Sequence, residues 1–122
     1  MVNVLCDTSF LIHLATKRIK NFDNLDFEIG IINFLVPEVV KNELEKLLQN
    51  QKKYVEISIT LNFIKKFKIF PLKGTYADQE LLKYVSNNNI VVATMDKNLK
   101  TQIRMQGKST LTIHNDKIIF EN

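Results

Sequence analysis

The chain has 122 residues, 45% hydrophobic and 25% charged, with only three glycines and two prolines. Those values fit one ordinary globular domain over residues 1–122; disorder is not indicated, and no domain boundary, internal repeat or low-complexity segment is visible. A net charge of +4, from 17 basic and 13 acidic residues, admits an anionic partner without demanding one.

Val2 to Cys6 is a short apolar run that reads as a strand buried on both faces. Cys6, the single cysteine, has no partner for an internal disulfide. It reads as a core residue, and it fits a reducing, cytoplasmic location. The N-terminus lacks a basic segment followed by a long apolar run, so no signal peptide is expected. The longest apolar stretch, Ile29 to Val36, is too short for a bilayer, and no membrane partner is expected.

Asp7-Thr8-Ser9 offers helix-capping side chains, and Phe10, Leu11, Leu14 and Ala15 follow at helical spacing. Asn21 to Gly30 reads as a short helix or loop. Ile31 to Val36 is a second strand, ending at Pro37, which suits the first position of a helix running to about Lys52. Tyr54 to Phe67 carries both strand alternation and a helical stripe (Tyr54, Ile57, Leu61, Ile64, Phe67); helix followed by a very short strand is preferred. A helix is expected over Tyr76 to Asn87, a strand over Ile90 to Ala93, and a helix from Lys97 to about Met105. Leu111 to Ile113 reads as the last strand. Strands alternating with helices predict an α/β fold with a mostly parallel sheet and right-handed crossovers.

Four acids stand where structure alone has little use for them. Glu43 lies on the inward stripe of its helix with Val40, Leu44 and Leu47, and Asp78 precedes Leu81, Leu82 and Val85 at helical spacing. Leu99 and Ile103 follow Asp96 by three and seven positions, and Asp7 closes the first strand. Each has a plainer reading. Asp7 and Asp96 suit N-caps, Asp78 suits a helix N-terminus through the dipole, and Glu43 suits an exposed pairing with Lys46. Together, however, all four belong near the carboxyl ends of parallel strands, where open sheets form their ligand crevice. Two ionised carboxylates about 4 Å apart repel by about 4 kcal/mol at an effective dielectric of about 20, so such a cluster calls for a cation. Oxygen ligands without nearby His or Cys favour Mg²⁺ or Mn²⁺ over zinc.

At these residues the sequence resembles the PIN-domain nucleases. Val4-Leu5-Cys6-Asp7-Thr8-Ser9-Phe10-Leu11 is similar to the family's opening strand with its first aspartate, and Val36 to Leu47 to its second motif, with Glu43 as the acid. Tyr76-Ala77-Asp78 and Val92 to Lys100, with Asp96, are similar to the third and fourth. Gly74 to Arg104 is most similar to archaeal members related to the eukaryotic small-subunit rRNA-processing nuclease. That branch often has a further Asp where this chain has Asn98, a departure that leaves the core four intact and falls at a fifth, auxiliary metal contact.

The resemblance implies a three-layer sandwich on a five-stranded parallel sheet in order 3-2-1-4-5. It implies metal-dependent endonucleolytic cleavage of RNA, with Asp7, Glu43, Asp78 and Asp96 as catalytic metal ligands. It brings in an rRNA- or RNA-processing role, or a VapC-type toxin role with an antitoxin. Ribosome-assembly proteins and a second copy of the chain are the other partners it suggests. Thr8, Ser9 and Thr94 are expected to orient ligands or water, or else to cap helices. Lys97, Lys100 and Arg104, on one helix face beside Asp96, are expected to contact RNA phosphates or simply to be solvated. Neither His13 nor His114 is placed for general-base work. Two rivals stand beside this reading. One is a non-catalytic binding scaffold of the same fold. The other is a phosphoacceptor receiver domain, which wants an acidic pair where Leu5-Cys6-Asp7 supplies one acid.

Overall fold

In the computed structural model, residues 2–22 and 30–122 are described. β1 (Val2–Cys6) sits at the centre of a sheet ordered β3-β2-β1-β4-β5-β6. Its neighbours are β2 (Ile32–Pro37) and β4 (Val91–Ala93), both parallel to it; β3 (Lys68–Phe70) and β5 (Thr110–His114) continue the parallel order outward. The first five strands thus take the expected order 3-2-1-4-5.

Alternation along β1 divides the core. Val4 and Cys6 face one layer, where they pack with Phe10, Leu11 and Leu14 of α1 (Thr8–Thr16), Val40 and Leu44 of α2 (Glu38–Leu47) and Ile57 of α3 (Tyr54–Phe63). Leu5 faces the other, against Leu81 and Val85 of α4 (Ala77–Asn87) and Leu99 and Ile103 of α5 (Lys97–Met105). A period-two strand with both faces apolar forces helices onto both sides, which makes the three layers. Cys6 is fully buried among these residues, and burial pushes its thiol far above the usual range, so it is packing and not chemistry.

Three expectations need correction. The last strand is not the edge: β6 (Lys117–Glu121) pairs antiparallel with β5, from Thr110 opposite Glu121 to His114 opposite Lys117. Asn115 and Asp116, at φ 52° and 61°, form the two-residue turn that this pairing requires, and Ile118 of the returning strand is buried in the core. Next, α2 stops at Leu47 instead of about Lys52, and its chain end is taken up by turns through Lys53. Pro37, finally, ends β2 and precedes the helix by one position. Tyr54–Phe63 is helical as preferred, followed by a 3-10 turn (Ile64–Lys66) and the short β3. The loop or helix expected over Asn21 to Gly30 lies mostly outside the described residues.

Candidate metal centre

Parallel order brings the carboxyl ends of β1, β2 and β4 to one edge, and Asp7, Glu43, Asp78 and Asp96 line one pocket there, about 450 Å³ in volume. Asp7 follows β1 directly, held by its own amide donating to the Ala93 carbonyl (2.8 Å). Glu43 comes from the second turn of α2, Asp78 from the first turn of α4, and Asp96 from the loop between β4 and α5.

Asp7 is the deepest of the four, only 7% exposed. The Thr94 hydroxyl donates to its Oδ2 at 2.8 Å and the Ser9 hydroxyl at 3.3 Å. Both hydroxyls also accept from the β4–α5 loop: Thr94 Oγ1 from the Asp96 amide (3.0 Å) and Ser9 Oγ from the Met95 amide (3.1 Å). Two hydroxyls therefore clamp the loop carrying Asp96 onto the Asp7 carboxylate. Burial raises the Asp7 carboxyl above its ordinary range. Hydrogen bonds from Thr94 and the Thr8 amide oppose this, and the negative charge of Glu43 adds to it.

The plainer readings survive in part. Asp96 does cap α5, its Oδ1 accepting from the Asn98 (2.9 Å) and Leu99 (3.2 Å) amides. Asp78 Oδ1 accepts from the adjacent Gln79 amide (2.9 Å). Glu43 makes no ion pair with Lys46, so the flank reading loses its motive. Asp7 occupies the N-cap position of α1, and within that first turn its carboxylate meets only the Thr8 amide and the Ser9 hydroxyl. As the side chains stand, no three His, Cys, Asp or Glu among the described residues converge on one point. Asp78 and Asp96 are exposed, and each gives one carboxylate oxygen to backbone amides of its own helix.

The donor set fits a hard divalent cation. It is all oxygen, and it includes a buried carboxylate next to a second one. The Thr8 hydroxyl, from a residue lining the same pocket, is buried without a hydrogen-bond partner, which is the position of a group awaiting water or an ion. Asn98 is exposed and its side chain is not part of the pocket lining.

The basic trio divides. Lys100 Nζ lies 3.3 Å and Arg104 Nη1 3.7 Å from the Glu121 carboxylate, on the β6 strand that the sequence reading lacked. Lys97 is exposed and joins neither pair. His13 and His114 do not line the acidic pocket. Sequence reasoning missed Lys53, which does; the longer helix expected there gave it no address.

A family model described as a PIN like domain matches residues 4–115. Ribonuclease VapC4 of Methanocaldococcus jannaschii is 33% identical over 133 aligned residues, covering 99% of this chain and 96% of that protein. The solved PIN domain endonuclease Utp24 superposes with a TM-score of 0.79 at 34% identity, covering 98% of this chain and 90% of that one.

Proposed function

The chain belongs to the PIN-like domain family, and from that premise we propose that it is an endoribonuclease dependent on Mg²⁺ or Mn²⁺. The observation that carries this reading is that four carboxylates, from four separated stretches of sequence, line one pocket at the carboxyl edge of the sheet. The relatives support it: one is a ribonuclease and one an endonuclease, each matched over nearly the whole chain.

Asp7, Glu43, Asp78 and Asp96 would hold the ion. When bound, it supplies a polarised phosphoryl oxygen and a more acidic water. The chain's own contribution is placement. Thr94 and Ser9 fix the orientation of the Asp7 carboxylate, and the same bonds set the height of Asp96 above it. The Thr8 hydroxyl is free to hold a water at the crevice floor. Lys97, at the start of α5 beside Asp96, is the member of its trio free to meet a phosphate.

RNA processing is the cellular role we favour, and a toxin role with an antitoxin partner is a second reading, motivated by the identity to VapC4. Incubating purified protein with a structured RNA tests the activity. Cleavage is expected with Mg²⁺ or Mn²⁺ and not in excess EDTA, and it should be lost in Asp7→Asn. Binding without cleavage under every metal condition would leave the scaffold reading in its place. Growth arrest on expression in a foreign host, abolished by Asp7→Asn, would favour the toxin role.

A further inference from the structure

Lys53 lines the pocket that holds the four acids. Its backbone is anchored by the turn after α2. The Asn50 amide donates to the Leu47 carbonyl and the Lys53 amide to the Asn50 carbonyl, each at 3.0 Å. The Lys53 carbonyl accepts from the Ile57 amide at 2.9 Å, opening α3. Glu43 and Leu47 both line the pocket, one turn apart on α2, so about 6 Å separates them along the axis. The turn ties Lys53 to the Leu47 end. Ile12, one turn past Thr8 and Ser9 on α1, lines the pocket too. The crevice is therefore lined by the four acids, by the apolar Ile12 and Leu47, and by the cation Lys53 beyond the turn that follows Leu47.

Lys53 makes no ion pair with any described carboxylate, though four share its pocket. A lysine serving to neutralise that cluster would sit against one of its members. This one is exposed, and its ammonium pairs with none of the described carboxylates.

We infer that Lys53 binds the phosphate next to the scissile one, drawing the RNA strand across the Ile12–Leu47 wall so that the scissile phosphate meets the acids. This rests on the ribonuclease reading above. Lys53 is a substrate-positioning group, separate from the metal ligands. Its contribution is made equally to ground state and transition state, so it acts on KM more than on kcat.

The test uses the full chain with Mg²⁺. Lys53→Ala should raise KM about fivefold to tenfold with kcat little changed, and Lys53→Arg should restore most of the loss. In an Asp96→Asn background, which slows cleavage, Lys53→Ala should lower the salt slope of binding to labelled single-stranded RNA by about 0.7, one phosphate contact. After the cut site is mapped, a neutral methylphosphonate at the adjacent linkage should weaken the parent as Lys53→Ala does. It should add nothing to the loss in Lys53→Ala itself. An unchanged KM and salt slope in Lys53→Ala overturns the inference while leaving the ribonuclease reading intact. So does full additivity of the methylphosphonate and Lys53→Ala. If the parent shows no metal-dependent cleavage, the ribonuclease reading fails, and the salt slope still decides whether Lys53 holds a phosphate. A counter-ion role would instead lower the metal-free melting temperature of Lys53→Ala and leave the salt slope alone, which also overturns it.

Discussion

The Thr94 hydroxyl donates to Asp7 Oδ2 at 2.8 Å and accepts from the Asp96 amide at 3.0 Å, joining two acids that lie far apart in sequence. Thr94 is fully buried, so neither bond is shared with bulk water. Thr94→Val keeps the shape and removes both. A hydrogen bond to a charged group is worth about 1.5–3 kcal/mol, partly offset by the added methyl, so a loss of about 1–2 kcal/mol in urea unfolding at neutral pH is expected. Metal affinity or cleavage should fall about 10- to 100-fold, as for other groups that orient a ligand. Parental cleavage in this variant would show that Asp7 needs no such orientation.

Asp7 makes the metal-free protein sensitive to pH. Its carboxyl is raised, chiefly by burial, with Glu43 adding to the effect. For an acid raised in the folded state, the stabilising contribution is complete below the unfolded value of 3.8 and is lost as pH rises through the folded value. Asp7→Asn has no such loss. In EDTA, the variant should melt higher than the parent at pH 7, and the gap should close as pH falls toward 4. Added Mg²⁺ should reverse the order at pH 7, because only the parent keeps the deep anionic ligand. A gap in EDTA that is constant with pH would mean Asp7 is not the titrating group.

The parallel core and the four acids were legible because both leave periodic marks. Val2 to Cys6 is a nearly continuous apolar run, and Glu43 and Asp78 interrupt or border helical stripes. β6 was not legible. Asn115-Asp116 lacks the glycine that usually flags a primed turn, and Ile118, Ile119 and Phe120 show no clean alternation with polar residues. α3 was ambiguous for a physical reason: Val55 and Ile59 are apolar yet exposed, so its pattern does not mark one face. Lys53 carries no sequence signal at all, since its place depends on where α2 stops. Which oxygens of Asp78 and Asp96 are taken up by backbone amides depends on side-chain torsions that no spacing rule reaches.

Asp96 caps a helix and lines the pocket, and two substitutions separate those roles. Asn caps about as well as Asp, whereas Ala costs about 1 kcal/mol at such a position. Asp96→Asn also removes one charge from a crowded edge, so its metal-free melting temperature should match or exceed the parent's, while Asp96→Ala should melt lower. Both should gain less stability from Mg²⁺ than the parent, and both should lose cleavage by about two orders of magnitude or more. A metal-free Asp96→Asn protein that melts as low as Asp96→Ala would make the charge itself structural. Parental cleavage in either would remove Asp96 from the site.

The basic helix face should behave as two unequal parts. Lys100 and Arg104 both reach Glu121, and Lys97 reaches no carboxylate of the described residues within ion-pair distance. A phosphate approaching Lys100 or Arg104 must compete with an existing partner, while one approaching Lys97 need not. Lys97→Ala should therefore weaken RNA binding and reduce the salt slope by about 0.7, the effect of one contact on a single strand. Lys100→Ala should reduce it less. Glu121→Gln frees both Lys100 and Arg104, so it should strengthen RNA binding and steepen the salt slope. Its stability should change little, because partly exposed ion pairs are worth about 0–1 kcal/mol. The measurement is fluorescence anisotropy of a labelled RNA across a salt series, with unfolding curves run alongside. Equal slopes for Lys97→Ala and the parent would take this face out of the RNA path. A Glu121→Gln protein that binds no more tightly would confine Lys100 and Arg104 to holding β6 against α5.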